Sequence, residues 1–207
     1  IAPLRSPALL AKTAASLDAI SNGRLELGVG LGWQEEEYEA SGISFDQRAK
    51  IFWETLDICQ SLWKGGPVSH KGEIFEFNDI WCHPIPPQGS DIPLLFGVKM
   101  TESNAQKIAK IGHGWIPIKT SRDFISEGSE KLNNAFKEAG RDDKPRIRGQ
   151  LPTCVDSNGL PSVDLTLKEL EKSMEAGLEE IEVFPINFAQ SPDHLREVLE
   201  LIGELKK

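Results

Sequence analysis

Apolar positions along the chain alternate between short continuous runs and helical stripes. The clearest stripe lies within residues 46–63, where apolar side chains repeat at spacings of three and four residues and Asp46 is placed to cap the helix. An earlier stripe covers residues 7–21. Five short apolar runs, each followed by a helical stripe, predict strands at residues 25–29, 93–97, 115–118, 146–155 and 180–185. The pattern therefore predicts a helix followed by five strand–helix units.

Regular strand–helix alternation is typical of a parallel sheet covered by helices. Two architectures satisfy it: a doubly wound sheet of five strands, or part of a (β/α)8 barrel. The alternation is interrupted at residues 68–91. There, apolar segments at 68–70 and 74–77 flank Lys71-Gly72 and predict a β-hairpin, which a proline-rich loop follows. An excursion of this length between regular elements is often functional.

Composition and charge exclude several classes of protein. The 207 residues are 39% hydrophobic and 27% charged, as expected for one globular domain. A net charge of −9 argues against a nucleic-acid partner, which requires a concentrated basic face. No apolar run approaches the roughly 20 residues that a membrane span needs. Three widely spaced cysteines predict buried thiols in a reducing compartment, so we expect a cytoplasmic protein.

Glycines follow the first predicted strand in the pattern Gly28-x-Gly30-x-Gly32. A dinucleotide-binding site would need an acidic residue at the end of a second strand about 20 residues later, and none is found there. Gly30 and Gly32 instead favour close approach of the backbone to a ligand at the carboxyl end of a strand, where barrel sites lie. A merely tight strand–helix turn explains them as well.

Residues 97–101 form the best candidate phosphate site. A predicted strand ends at Gly97 and a helix capped by Thr101 begins after it, so backbone N–H groups and the positive end of the helix dipole face a ligand. Lys99 adds a positive charge. A plain capped helix is the alternative. The histidines show no metal-ligand spacing with Asp, Glu or Cys, so we expect no metal site, and no pattern of a catalytic nucleophile is present.

A set of motifs also occurs in a fixed order over roughly residues 3–118. They are residues 7–18, 21–24, 27–33, 35–38, 42–43, 45–63, 72–75, 96–101 and 112–117. Together they resemble the luciferase-like monooxygenase superfamily, and within it the branch of coenzyme F420-dependent oxidoreductases. The chain differs from many relatives at Val98-Lys99, where they carry two glycines, and at His113, where an aspartate is usual.

The resemblance implies an α/β protein of the (β/α)8 TIM-barrel type. The strand at 25–29 would be the fourth, so that about five of the eight βα units, strands 4 to 8, are present in one partial barrel domain spanning 1–207. The chain begins at Ile1 without a methionine, and we expect that it starts partway into the fold. The hairpin and loop at 68–91 would be an insertion in this barrel.

The implied function is that of an oxidoreductase or monooxygenase acting on a small organic substrate, with coenzyme F420 as the preferred cofactor and FMN as the other. A non-catalytic flavin-binding or structural relative is the alternative. Homodimers are common in the resembling family. No catalytic residue is assigned. The expected cofactor-binding residues are Gly30, Gly32, Trp33, Gly97, Val98, Lys99, Thr101 and Gly114. Lys99, Lys119 and Arg122 would suit the acidic tail of F420.

Overall fold

The computed structural model describes residues 1–189 and 191–204. The chain divides into two compact units, Ile1–Val98 and Lys99–Lys207. The first unit contains α1 (Pro7–Ser21), β1 (Leu27–Gly30), α2 (Glu35–Ala40), α3 (Arg48–Trp63), β2 (Val68–Lys71), β3 (Glu76–Ile80) and β4 (Leu94–Gly97). The second contains α4 (Glu102–Ile111), β5 (Gly114–Trp115), α5 (Arg122–Glu138), β6 (Arg146–Gln150), α6 (Val163–Glu175), β7 (Glu180–Glu182) and α7 (Pro192–Glu204).

Helices α1 and α3 form the core of the first unit. The inner face of α1 carries small residues, so the two helices approach closely, and Ala11, Ala14 and Ala15 are fully buried. The indole Nε1 of Trp63 donates a hydrogen bond of 3.0 Å to the Ala11 carbonyl, which satisfies the one polar atom of a buried tryptophan. Strands β1 and β4 pair in parallel, in register from Leu27 opposite Leu94.

The predicted hairpin is present, with its second strand displaced. Strands β2 and β3 pair in antiparallel fashion, but β3 begins at Glu76, because the backbone of residues 74–75 bonds to a side chain of α3. The Glu54 carboxylate accepts hydrogen bonds from the amides of Ile74 (3.1 Å) and Phe75 (2.8 Å). His70 Nε2 lies 3.0 Å from the same carboxylate. The hairpin is therefore tied to α3 by one glutamate.

In the second unit, β5, β6 and β7 form a parallel arrangement. Trp115 lies opposite Ile147, and Arg148 opposite Glu180. The core is built by helices packing on one face of these strands, and its buried apolar residues are Ala105, Ile108, Trp115, Ile125, Leu132, Phe136, Ile147 and Leu178. The chain is thus a mixed α/β protein with parallel strands, as predicted. Among the described residues, no helix combines the length and apolarity required to cross a bilayer.

Three predicted strands were too long, and one predicted cap was wrong. The strands expected at 115–118, 146–155 and 180–185 end at Trp115, Gln150 and Glu182. Each overextended prediction contains a proline, and proline has no N–H with which to continue a ladder of hydrogen bonds. At the start of α3 the capping position is occupied by Gln47, not by Asp46.

Candidate active site

In the first unit, the predicted site glycines lie at the carboxyl ends of two parallel strands. Gly30 and Gly97 are register partners in β1 and β4. A Cβ atom at Gly30 would lie 3.4 Å from the Gly97 carbonyl oxygen, so the two backbones come close together here. Val98, which follows β4 directly, has a side chain that is almost fully buried.

The loop after β1 carries the other two predicted residues of this unit. Gly32 has a φ of +75°, a left-handed conformation that favours glycine. Trp33 is 84% exposed, which is unusual for so large an apolar side chain. Tyr38 holds this loop in place, because its buried hydroxyl donates a hydrogen bond to the Leu31 carbonyl. Burial raises the pKa of Tyr38, so the phenol stays protonated as a donor.

In the second unit, Lys99 and Thr101 line a cavity of about 410 Å³, here called the α4 cavity. Its floor contains Trp115 and Phe124, whose ring centroids are 5.7 Å apart. Thr101 is the N-cap that the sequence predicts: its hydroxyl accepts a hydrogen bond of 3.2 Å from the Asn104 amide. The first turn of α4 therefore opens onto this cavity.

Charges in the α4 cavity are balanced. The lining includes Lys99 and Lys131 together with Glu102 and Glu127. Lys131 forms an ion pair of 2.5 Å with Glu127, and this hydrogen bond lowers the pKa of the glutamate, with a smaller contribution from Lys99. An anionic group bound here would be attracted mainly by Lys99 and by the positive end of the helix dipole, and it would be repelled by Glu102.

Gly114 occupies the first position of β5 and does not itself line the α4 cavity. A Cβ atom at this position would lie 2.2 Å from the carbonyl oxygen of Arg146 on the neighbouring strand. Backbone atoms of a paired strand cannot move aside, so packing by itself requires glycine here, and cofactor contact at Gly114 stays a prediction.

A second cavity, of about 330 Å³, lies where β5, β6 and β7 end. We call it the carboxyl-edge cavity. Three segments supply its lining: the loop after β5, the end of β6 with its following loop, and the end of β7. The lining residues are Ile116, Pro117, Ile118, Lys119, Thr120, Gln150, Leu151, Pro152, Thr153, Glu182 and Phe184. An apolar wall with a few polar side chains is typical of a site for a small organic molecule.

The face of β6 and β7 that leads to this cavity is strongly polar. Glu180 accepts hydrogen bonds from Arg146 Nε at 2.7 Å and from Arg148 Nε at 2.6 Å, one on each carboxylate oxygen. On the opposite face, Ile147 and Gly149 are buried, and the nearest side chains to Gly149 are those of Leu178 and Thr120. These charge-assisted bonds fix the side chains of both arginines and of Glu180 on this face.

The comparisons with known proteins agree with this fold. The family model described as luciferase-like monooxygenase matches residues 1–159. The chain belongs to the luciferase-like monooxygenase family. An uncharacterized protein of Mycobacterium tuberculosis is 37% identical over 142 residues, covering 68% of this chain and 49% of the relative. The chain therefore spans about half the length of this curated relative.

Solved structures show the same fold at low sequence identity. The coenzyme F420-dependent tetrahydromethanopterin reductase of Methanopyrus kandleri superposes with a TM-score of 0.73 at 18% identity, over 94% of this chain and 77% of the reductase. The oxygenating constituent of 3,6-diketocamphane monooxygenase from Pseudomonas putida, in complex with FMN, gives 0.62 at 22% identity, over 75% and 47% of the two chains. At these identities the likeness establishes the fold alone.

Sequence reasoning missed most of the lining of the carboxyl-edge cavity. The sequence indicates only one of its residues, Lys119, as a site residue, and it does so because of the lysine's charge. Residues 116–118, 151–153 and 184 had been assigned to strands, since they are apolar or β-favouring. Pro117, Pro152 and Pro185 are the signals that could have ended those strands earlier and exposed the loops as a site.

Proposed function

We propose that the protein is a flavin- or deazaflavin-dependent oxidoreductase that acts on a small organic substrate. The observation that carries this proposal is the carboxyl-edge cavity, because parallel α/β folds bind ligands at the carboxyl ends of their strands. Family membership supports the same reaction class. We further propose that β1 and β4 to β7 correspond to strands 4 to 8 of a (β/α)8 barrel.

The residues of the carboxyl-edge cavity fit a flat heteroaromatic ring. Ile116 and Pro152 supply apolar surface for a ring face, while Thr153 supplies a hydrogen-bonding group for a ring edge. When bound, a deazaflavin would supply hydride transfer, and a reduced flavin would supply activation of oxygen. The contribution of this chain would be to orient the ring and to keep water from its apolar face.

Phosphate contact is proposed for the first turn of α4. Lys99 supplies a positive charge at the end of a helix whose dipole also attracts anions. The residues Gly30, Gly32, Trp33, Gly97 and Val98 remain proposed cofactor contacts, since they lie at or after the carboxyl ends of β1 and β4. Coenzyme F420 remains the preferred cofactor, because its acidic tail suits Lys99 and Lys119. Arg122 is less available, since it lies 3.8 Å from the Glu175 carboxylate.

The test is a fluorescence titration with F420 and with FMN, using the chain and a form extended by whatever coding sequence precedes Ile1. We expect F420 to bind more tightly than FMN. Lys99→Ala should weaken F420 binding by roughly fivefold, as expected for an exposed charge pair of about 1 kcal/mol. Raised salt should reduce the difference. Lys110→Ala, an exposed lysine at the other end of α4, is the matched control.

The outcomes separate the rival functions. If Lys99→Ala and Lys110→Ala bound F420 with equal affinity, Lys99 would not be an anchor, and the cofactor proposal would be unaffected. Tight binding without turnover of any reductant would favour a non-catalytic relative. If no form of the protein bound either cofactor, the proposed function would be wrong.

A further inference from the structure

Strand β7 places two glutamates in different electrostatic surroundings. Glu180 and Glu182 are two residues apart, so their side chains leave the strand on the same face. The carboxylate of Glu180 is held by Arg146 and Arg148, which compensate its charge. It does not line the carboxyl-edge cavity.

Glu182 lines that cavity and has no such compensation. Within residues 1–189 and 191–204, the structure shows no hydrogen bond or ion pair to its carboxylate. Its register partner on β6 is Gln150, which lines the cavity beside it. The backbone of Glu182 is fixed, because its carbonyl accepts a hydrogen bond of 2.7 Å from the Leu151 amide. A negative charge is thus held at one wall of the cavity by a paired strand.

The remaining lining is mostly apolar. Ile118 is 69% exposed and Phe184 is 47% exposed, so large hydrophobic surfaces stand open beside this charge. Their burial by a ligand would be favourable at about 25 cal/mol per Å². The cavity therefore combines a hydrophobic surface with one anchored anion.

Lys119 is the cation of this lining, and its placement differs from that of Glu182. It lies on the loop after β5 and its side chain is exposed. A lysine of this kind extends its ammonium group into solvent on a flexible stem, where it can meet an acidic part of a cofactor. Glu182 is also exposed, but its shorter side chain stands on a paired strand, so its carboxylate has fewer positions open to it.

We propose that the substrate class of this cavity is a small organic molecule with an apolar or aromatic body and a protonated amine. The ammonium group donates hydrogen bonds to the Glu182 carboxylate and to the Gln150 amide oxygen, and the apolar body covers Ile118 and Phe184. Glu182 is the residue that determines this specificity. The inference rests on the proposed function, since it assigns one part of this cavity, formed by Ile118, Gln150, Glu182 and Phe184, to the substrate of that reaction and leaves the rest to the cofactor ring.

The test compares three probes of one shape: benzylamine, benzyl alcohol and benzoate. Their binding to the chain is measured at pH 7 by NMR titration, which requires neither cofactor nor turnover. Benzylamine should bind about tenfold more tightly than either other probe, as expected for a charge-assisted hydrogen bond at a partly exposed site. Glu182→Gln should remove this preference and leave benzyl alcohol unchanged. Glu179→Gln, an exposed glutamate just before β7, changes net charge equally and should have no effect.

Benzoate binding as tightly as benzylamine to the unmodified chain would overturn the inference without any variant. An equal effect of the two glutamine variants would also overturn it. Cofactor binding without an amine preference would remove this inference and leave the proposed function intact. If the protein preferred the amine but bound neither F420 nor FMN, the specificity assigned to Glu182 would be retained and the proposed function would be wrong.

Discussion

Single glycines show how one position can serve packing or ligand binding. At Gly114 an added methyl group would meet the Arg146 carbonyl oxygen at 2.2 Å, and at Gly128 it would meet the Trp115 ring at the same distance. Both neighbours are fixed, the first by strand pairing and the second by complete burial. At Gly30 the nearest atom would be 3.4 Å away, which is tight but tolerable. The first two glycines are therefore needed for packing.

Gly114→Ala should lower the free energy of unfolding by about 1–3 kcal/mol through overpacking. The measurement is urea unfolding followed by circular dichroism. Gly203→Ala, in α7 with open space around it, is the control and should be neutral or slightly stabilising. The folded variant should bind F420 with unchanged affinity. A stable Gly114→Ala protein with lost cofactor affinity would instead support the cofactor contact that the sequence predicts.

Residue roles could be predicted from the sequence where local geometry decides them. Thr101 caps α4 as predicted, and Asn22 ends α1 in a left-handed conformation that asparagine tolerates. The balance of charges around Lys99 could not be predicted, because Glu127 and Lys131 reach the same cavity from a helix 25 or more residues later. The role of Glu182 was missed for a similar reason: its environment depends on the pairing of two distant strands.

Among the elements, the β2–β3 hairpin is held by a partly buried acid. Glu54 is only 14% exposed and accepts hydrogen bonds from Phe75, His70 and Ile74. Burial alone raises the pKa of Glu54, but these bonds outweigh it, so its pKa lies below the ordinary value of 4.5. A carboxyl with a lowered folded-state pKa stabilises the protein above its unfolded-state pKa, and this contribution is lost as the pH falls through the folded value.

Glu54→Gln should therefore destabilise the protein by about 2 kcal/mol at neutral pH, because buried amides lose their charged acceptor. The difference from the unmodified chain should shrink as the pH falls below about 4.5. Urea unfolding from neutral pH to about pH 3.5 measures it. Glu36→Gln, on the exposed side of α2, should show neither effect. A difference that is constant with pH would contradict the proposed ionised acceptor.

The order of elements was predictable, while their ends were not. Apolar residues recur with a different period in a helix than in a strand, so one sequence is enough to predict the positions of α3 and β4. Strand ends depend on where the ladder of hydrogen bonds stops, and the residues beyond β5 and β6 remain as apolar as the strands themselves. Because the carboxyl-edge cavity is built from those residues, an error of three to five residues in strand length concealed the site.

At the level of the whole molecule, the net negative charge acts against the binding of the proposed cofactor. The net charge of −9 opposes the approach of an anionic cofactor, so the proposed binding relies on local cations such as Lys99 and Lys119. The carboxyl-edge cavity supplies the apolar surface and polar edges for a ring. We therefore propose that a flavin-type cofactor binds where β5, β6 and β7 end.

Hydrogen exchange with mass spectrometry, with and without saturating F420 or FMN, tests that claim most directly. Cofactor binding should slow exchange at residues 116–120 and 150–153. Residues 139–145, which lead into the amino end of β6, should be unchanged and serve as the internal reference. Saturating binding with no protection of residues 116–120 and 150–153 would contradict the account, because the cofactor would then occupy a different part of the protein.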